Sequence, residues 1–196
     1  MEISERNLGM IVNKLSPEEE RTPKWKGSGS LSKNLIITPT EPNVVLGPGQ
    51  IQPKGYRLTC GRYGELRLAF FKMKGTIEVE VISARNIVSA DCETPPDTYV
   101  KCYLRDGDRL RHKKKTRVVR HAAEPLYKQT LKYQTADVFG RNLVIMVWQR
   151  CVGFEHNQGL GGAEISLDKL NWSKPAGGWY VLFPMHSFGS DSNDSP

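Results

Sequence analysis

Hydrophobic and polar residues alternate in short runs over the C-terminal two thirds of the chain. In one run, Ile77, Val79 and Val81 alternate with Glu78 and Glu80. A period of two residues is typical of a β-strand that buries one face, because successive side chains point to opposite sides. Such runs predict eight short strands, at residues 64–71, 76–82, 99–104, 115–120, 126–133, 143–148, 160–167 and 179–183. Turn signals separate the runs and no long amphipathic helix competes, so the pattern predicts an all-β, eight-stranded antiparallel β-sandwich.

Residues 1–60 lack this alternation. They contain three consecutive glutamates, a glycine- and serine-rich run and six prolines, and this density of glycine and proline breaks both helix and sheet. Their apolar content is too small to offset the entropy lost on ordering. We therefore predict a flexible, disordered tail over residues 1–60, a folded domain over residues 61–187 and a disordered C-terminal tail over residues 188–196.

The net charge of +7 is concentrated in one short stretch. Residues 101–120 hold nine Lys or Arg and two Asp, so this stretch alone carries +7 and the rest of the chain is balanced. This concentration disfavours a uniformly basic packing protein. It indicates one local site for an acidic partner.

The cysteines, and the motifs that the chain lacks, indicate the surroundings and the class of the protein. Four cysteines show neither a metal-binding spacing nor a dense disulfide framework, which indicates reducing, intracellular surroundings. The chain has no secretion signal and no apolar run of membrane-spanning length, so any membrane contact is expected to be peripheral. Catalytic motifs are missing, and no histidine lies beside an obvious nucleophile. We therefore expect neither an enzyme nor a bound cofactor or metal.

Several motifs together resemble one known family. They lie at residues 75–86, 97–101, 113–117, 124–127, 144–148 and 178–184. Residues 64–184 resemble a C2 domain of synaptotagmin-like topology, an eight-stranded sandwich that binds lipid and calcium. The runs at residues 113–120, 125–131 and 179–184 look most like the C-terminal C2 domain of the RIM (regulating synaptic membrane exocytosis) family. Piccolo-like scaffolds are close relatives of that family.

The resemblance implies a role at the presynaptic membrane. RIM proteins are active-zone scaffolds that support synaptic vesicle exocytosis and neurotransmitter release, and one domain after a tail is similar to their short, single-C2 forms. The resemblance thus implies a peripheral module at the cytoplasmic face of the presynaptic plasma membrane. Active-zone proteins such as liprin-α are the partners it implies.

The predicted loops keep only part of the calcium ligand set of a C2 domain. Calcium needs six to eight oxygen ligands, several of them charged, and calcium-binding C2 domains supply about five aspartates from two loops. The first loop keeps Asp91 and Asp97. In the other loop Gln149 and Cys151 fill the expected aspartate positions, Asn157 lies near the third, and Arg150 adds a positive charge. We therefore expect a vestigial calcium loop and calcium-independent behaviour, with Asp97 in a structural role.

The basic stretch gives the candidate binding site. If residues 109–120 form one alternating strand with Val118 facing the core, Lys113, Lys115 and Arg117 project together from the opposite, concave face. On the neighbouring strand Val100, Cys102 and Leu104 share one face. The other face, which we expect to join the basic groove, carries Tyr99, Lys101 and Tyr103. Converging cations suit a multiply phosphorylated headgroup, and the resemblance implies phosphatidylinositol bisphosphate.

Two other functions remain open at this point. Basic residues interleaved with Tyr99 and Tyr103 could stack bases and hold phosphates, although no nucleic-acid motif accompanies them. The domain could also be a pure protein-interaction module for liprin-α or release-machinery proteins. In that case loop residues such as Phe154 and the convex face would matter more than the lysines.

Overall fold

Nine β-strands, one short helix and two 3-10 helices form the described part of this computed structural model, which covers residues 45–56, 63–87, 94–153 and 156–188. The strands are β1 (Gln50–Ile51), β2 (Glu65–Met73), β3 (Thr76–Arg85), β4 (Thr98–Asp106), β5 (Arg109–Lys115), β6 (Leu126–Gln134), β7 (Asn142–Gln149), β8 (Gln158–Ser166) and β9 (Ala176–Val181). Helix α1 spans Thr135–Val138, and the 3-10 helices span Leu167–Lys169 and Met185–Phe188.

The strands form two antiparallel sheets. A five-stranded sheet has the order β1-β8-β7-β4-β5, and a four-stranded sheet has the order β6-β3-β2-β9. Buried side chains from both sheets form one hydrophobic core between them. The predicted all-β antiparallel sandwich is therefore confirmed.

Alternation explains the central strands. In β2, Leu66, Leu68 and Phe70 are buried, and in β3 Ile77 and Val79 are buried as well. The side chains between them are half-buried or exposed. Because direction alternates along a strand, these two strands present one apolar face to the core and one polar face to water.

The basic strand has different bounds from those predicted. The strand predicted over residues 115–120 is instead β5, which begins at Arg109 and ends at Lys115. The cause is the tight turn at Gly107, with a φ of 58°, which places Arg109 directly opposite Asp106 so that pairing begins there. After β5 the chain continues only as an isolated bridge between Val119 and Thr98.

A ninth strand lies within the stretch predicted to be a flexible tail. Strand β1 pairs with β8 at Ile165 and Glu164. The Gln50 side chain donates to the Val181 carbonyl (2.6 Å), and its oxygen accepts from the amides of Gly47 (3.0 Å) and Val181 (3.3 Å). The predicted boundary at residue 60 is therefore wrong for this stretch, because hydrogen bonds from one polar side chain attach it to the domain. Residues 1–44 and 57–60 lie outside the described residues.

The C-terminal end also departs from the prediction. Phe188, placed at the start of a disordered tail, is buried. It packs with Tyr103, Val144, Met146 and Phe183 on the face of the five-stranded sheet that points away from the core, called here the outer face. Residues 189–196 lie outside the described part of the chain.

Candidate anion-binding face

Strand register brings two lysines and two aromatic residues together on the outer face. Lys101 lies opposite Lys115 in the β4–β5 pair, and Tyr99 lies opposite Trp148 in the β4–β7 pair. Directly opposite residues of an antiparallel pair project to the same side. We call Tyr99, Lys101, Lys115 and Trp148 the outer-face cluster.

Lys101 is the centre of this cluster. Its ammonium nitrogen lies 4.0 Å from the centroid of the Trp148 ring and 5.7 Å from that of Tyr99. Its residue surface is only 4% exposed. An ammonium over an aromatic face is stabilised by the ring quadrupole, which offsets part of the cost of burying the charge.

Trp148 was not among the predicted site residues, although its ring contacts Lys101. Its parity with Val144 and Met146, four and two residues earlier on β7, could have revealed its orientation. Those two residues belong to the outer-face group, whereas Leu143, Ile145 and Val147 belong to the core.

Tyr103 does not line an open groove, in contrast to the prediction. It is 2% exposed and packs in the group that contains Phe183 and Phe188. The segment carrying these phenylalanines is fixed to β8, because Gly162 and Phe183 exchange two backbone hydrogen bonds of 2.9 and 2.7 Å. A Cβ at Gly162 would stand 2.9 Å from both the Ile145 carbonyl oxygen and the Phe188 ring. Glycine thus admits the ring, and the C-terminal segment covers the part of the outer face where Tyr103 lies.

The other predicted site residues do not follow one uninterrupted strand. The β4–β5 register shifts between Cys102 and Leu104, and His112 adopts a φ of 53° at this bulge. Arg117 lies beyond the end of β5, where its amide donates to the Gln129 side chain (2.9 Å). Lys113 and Arg117 are exposed, but the bulge and the strand end remove the alternation that was expected to align them with Lys115.

Some basic residues of the 101–120 stretch form ion pairs and hydrogen bonds within the domain. The guanidinium of Arg105 lies 3.1 Å from Glu164, and it also donates to the Phe188 carbonyl at 3.0 Å. Arg111 pairs with Asp106 at 3.7 Å. The Arg105–Glu164 pair therefore leaves less positive charge for an outside anion than the stretch total of +7, in which Asp106 is already counted.

The vestigial calcium loop is only partly described, because Asp91 lies outside the described residues. The Asp97 carboxylate accepts from the His121 amide at 3.0 Å and lies 3.5 Å from His121 Nδ1. The Asn157 side chain accepts from the Cys151 amide at 3.2 Å, and Gln149 is the last residue of β7. Over residues 45–56, 63–87, 94–153 and 156–188, no three His, Cys, Asp or Glu side chains are grouped as a metal site requires.

Among the helices of the described ranges, none is long and apolar enough to cross a bilayer.

Comparisons with known proteins agree on one family. The C2 domain family matches residues 75–182. Regulating synaptic membrane exocytosis protein 2 of Mus musculus is 38% identical over 143 residues, which cover 72% of this chain and 9% of that protein. Regulating synaptic membrane exocytosis protein 3 of Mus musculus is 36% identical over 143 residues, which cover 46% of its length. The chain therefore spans less than half of either relative.

Solved structures support the same fold. A crystal structure of a RIM C2 domain from Drosophila matches with a TM-score of 0.53 and 23% identity, covering 61% of this chain and 98% of that domain. A crystal structure of a C2 domain of RIM2 matches with a TM-score of 0.50 and 25% identity, covering 62% of this chain and 98% of that domain.

Proposed function

The chain belongs to the C2 domain family, and on this premise we propose that it is a non-catalytic, calcium-independent module that binds phosphatidylinositol bisphosphate through the outer-face cluster. The RIM-type resemblance predicted from the motifs is confirmed by the relatives named for synaptic membrane exocytosis. The module would accordingly serve a presynaptic active-zone scaffold, at the cytoplasmic face of the plasma membrane.

The observation that carries the proposal is the position of Lys101 directly opposite Lys115. Like charges at opposite positions of a strand pair destabilise the sheet. A phosphorylated headgroup over this pair would offset that repulsion, because its negative charge attracts both ammonium groups and its oxygens can accept charge-assisted hydrogen bonds from the exposed Lys115. The Tyr99 and Trp148 rings hold Lys101 in place beside this position. Exposed Lys113 and Arg117 would add attraction at the rim.

Electrostatic attraction between these basic residues and an anionic membrane is too weak to give tight binding alone. Each Lys or Arg near an anionic leaflet contributes about 1 kcal/mol. Four such residues give about 4 kcal/mol, which corresponds to roughly millimolar affinity. Headgroup hydrogen bonds or a second attachment to a protein partner must supply the remainder. A scaffold that holds both a lipid and an active-zone protein meets this requirement.

Calcium independence is supported by the chemistry of the loop residues. Calcium requires several carboxylate ligands, and the side chains of Gln149, Cys151 and Asn157 contain no carboxylate. The Asp97 carboxylate is already engaged by the His121 backbone and ring.

Vesicle sedimentation tests the lipid proposal directly. We expect the full chain to sediment with vesicles that contain phosphatidylinositol bisphosphate. It should sediment much less with vesicles matched in surface charge by extra phosphatidylserine, and calcium should make no difference. Equal binding to both vesicle types, or binding only with calcium, would contradict the proposal. Equal competition by single-stranded RNA, with the same dependence on salt, would favour the nucleic-acid alternative.

A second candidate function, docking of a protein partner, is favoured by an apolar cavity at the α1 end of the sandwich. The cavity has a volume of about 230 Å³, and its apolar walls are formed by Ile77, Val138, Leu167 and Trp172. Phe139 borders it and is 71% exposed. An exposed aromatic ring beside an apolar cavity is typical of an anchor for a protein partner. We propose liprin-α, the partner that the resemblance implies.

The variant Phe139→Asp tests this candidate against purified liprin-α. We expect affinity to fall at least about tenfold, because truncating a hot-spot anchor costs about 2 kcal/mol or more and each 1.4 kcal/mol is tenfold in affinity. Val152→Asp is the matched control, since Val152 is also an exposed apolar residue but does not line this cavity. An equal effect of the two substitutions, or no effect of Phe139→Asp, would exclude docking at this cavity.

A further inference from the structure

We infer that the chain has a second anion site, which binds a phosphate monoester at the edge of the sandwich where β5 and β6 approach each other. The site is a pocket of about 160 Å³ lined by residues of β5, β6 and α1, namely His112, Lys113, Lys114, Lys132, Tyr133, Gln134 and Asp137. We call it the edge pocket. The inference does not depend on lipid binding by the outer-face cluster.

The fold creates this pocket through the positions of its strands. Strand β5 ends the five-stranded sheet and β6 ends the four-stranded sheet, and residues of both line the pocket. The basic run of β5 therefore borders a gap between two sheet edges. The bulge at His112 locally turns β5 at this point, as bulges commonly do at sheet edges.

Register separates the two anion sites. Lys115 lies opposite Lys101 on the outer face, whereas Lys114 lies opposite the buried core residue Cys102. Because neighbouring side chains of a strand point to opposite sides, Lys114 projects toward the other sheet. Its ammonium nitrogen lies 5.4 Å from the centroid of the Tyr133 ring on β6.

Tyr133 holds Lys114 without neutralising it. The Tyr133 hydroxyl donates to the Cys102 carbonyl at 3.2 Å, and burial raises the pKa of this hydroxyl, so it stays uncharged. Lys114 therefore rests on a neutral ring face. Within the described ranges its ammonium has this cation–π contact and forms no ion pair with a carboxylate.

The charges around the edge pocket favour an anion. Three lysines line it, against the carboxylates of Asp137 in the lining and Glu78 beside it. Asp137 lies 3.8 Å from His112 Nδ1, and Glu78 lies 2.7 Å from the Lys132 ammonium. The three lysines therefore outnumber the two carboxylates, even with His112 left out of the count.

The choice of cations and the volume indicate phosphate. The cations of the lining are lysines, whose ammonium groups act as point charges on the oxygens of a phosphate. The volume of about 160 Å³ is below the roughly 300–1,000 Å³ of drug-sized ligand sites. One phosphate group of a larger molecule, such as an inositol polyphosphate or a lipid headgroup, is the class of ligand that fits.

Titration of the full chain with inorganic pyrophosphate tests the inference by NMR. We expect amide shifts to concentrate at residues 112–114 and 132–137. The double variant Lys114→Met and Lys132→Gln should weaken the affinity at least tenfold, and Gln134→Glu should weaken it without removing any packing. Lys101→Met with Lys115→Glu should change it less than twofold, as should the charge-matched control Lys169→Met with Lys174→Glu, whose lysines do not line the pocket. Thermal unfolding of each variant shows that the fold is kept.

Other results of these experiments would either contradict the edge pocket or identify the source of its phosphate. Shifts confined to the outer-face cluster, with none at residues 112–114 and 132–137, or equal weakening by every charge variant, would overturn the edge pocket as a site. The same Lys114 and Lys132 variant on vesicles containing phosphatidylinositol bisphosphate then identifies the source of the phosphate. Weakened sedimentation would assign the pocket to the lipid headgroup, and unchanged sedimentation would assign it to a free inositol polyphosphate.

Discussion

Replacing Phe70 by alanine is expected to lower the free energy of unfolding by about 3–5 kcal/mol. Phe70 is completely buried in the core. Its ring meets the Tyr180 ring edge-on, with centroids 5.9 Å apart and planes at 73°, so truncation leaves a cavity beside Tyr180 in the core. Domains are stable by only about 5–15 kcal/mol. Urea or guanidinium unfolding followed by circular dichroism would measure the loss.

Phe71→Ala is the matched control for this experiment. Phe71 is the next residue on the same strand, but it is only half-buried and points to the opposite side. The same side chain is removed, so the difference between the two variants measures burial alone. We expect a cost of about 1 kcal/mol or less, in keeping with surface positions. Equal costs at the two positions would contradict the assigned faces of β2.

Alternation of apolar and polar residues predicted strands β2 and β3, but it predicted neither the bounds of β5 nor the existence of β1. Strands β2 and β3 bury one face, so their apolar residues must recur with a period of two. Strand β5 buries little of either face, so its sequence carries no such signal and its bounds depended on the turn at Gly107. Strand β1 is attached by the hydrogen bonds of Gln50, which hydrophobic patterning cannot reveal.

The candidate site was harder to predict than the fold, because it depends on contacts between distant residues. Alternation correctly placed Tyr99, Lys101 and Tyr103 on one side of β4. It could not show that Phe188 covers Tyr103, since these residues lie far apart in the chain and meet only in the folded sandwich. The pairing of Lys101 with Lys115 depends on register after the β4–β5 turn and on the bulge. Neither is fixed by residue type alone.

The outer-face cluster makes a prediction for lipid binding with an effect of similar size. Lys101→Met with Lys115→Glu should weaken binding to vesicles containing phosphatidylinositol bisphosphate about a hundredfold. The pair changes the local charge by three units, at about 1 kcal/mol for each charge near the leaflet, and each 1.4 kcal/mol is tenfold in affinity. Methionine retains an unbranched apolar chain between Tyr99 and Trp148, where sulfur–aromatic contacts are favourable. Sedimentation titrations at fixed salt would measure the change.

The control Lys169→Met with Lys174→Glu decides whether place or total charge matters. Both lysines are exposed and lie outside the basic stretch, and the control changes the net charge by the same amount. At physiological salt, charges separated by more than about 8 Å are largely screened. A localised site therefore predicts near-normal binding by the control and a large loss in the Lys101 and Lys115 variant. Equal losses would mean that the membrane senses only the overall charge, and unchanged binding by both would place the lipid site elsewhere.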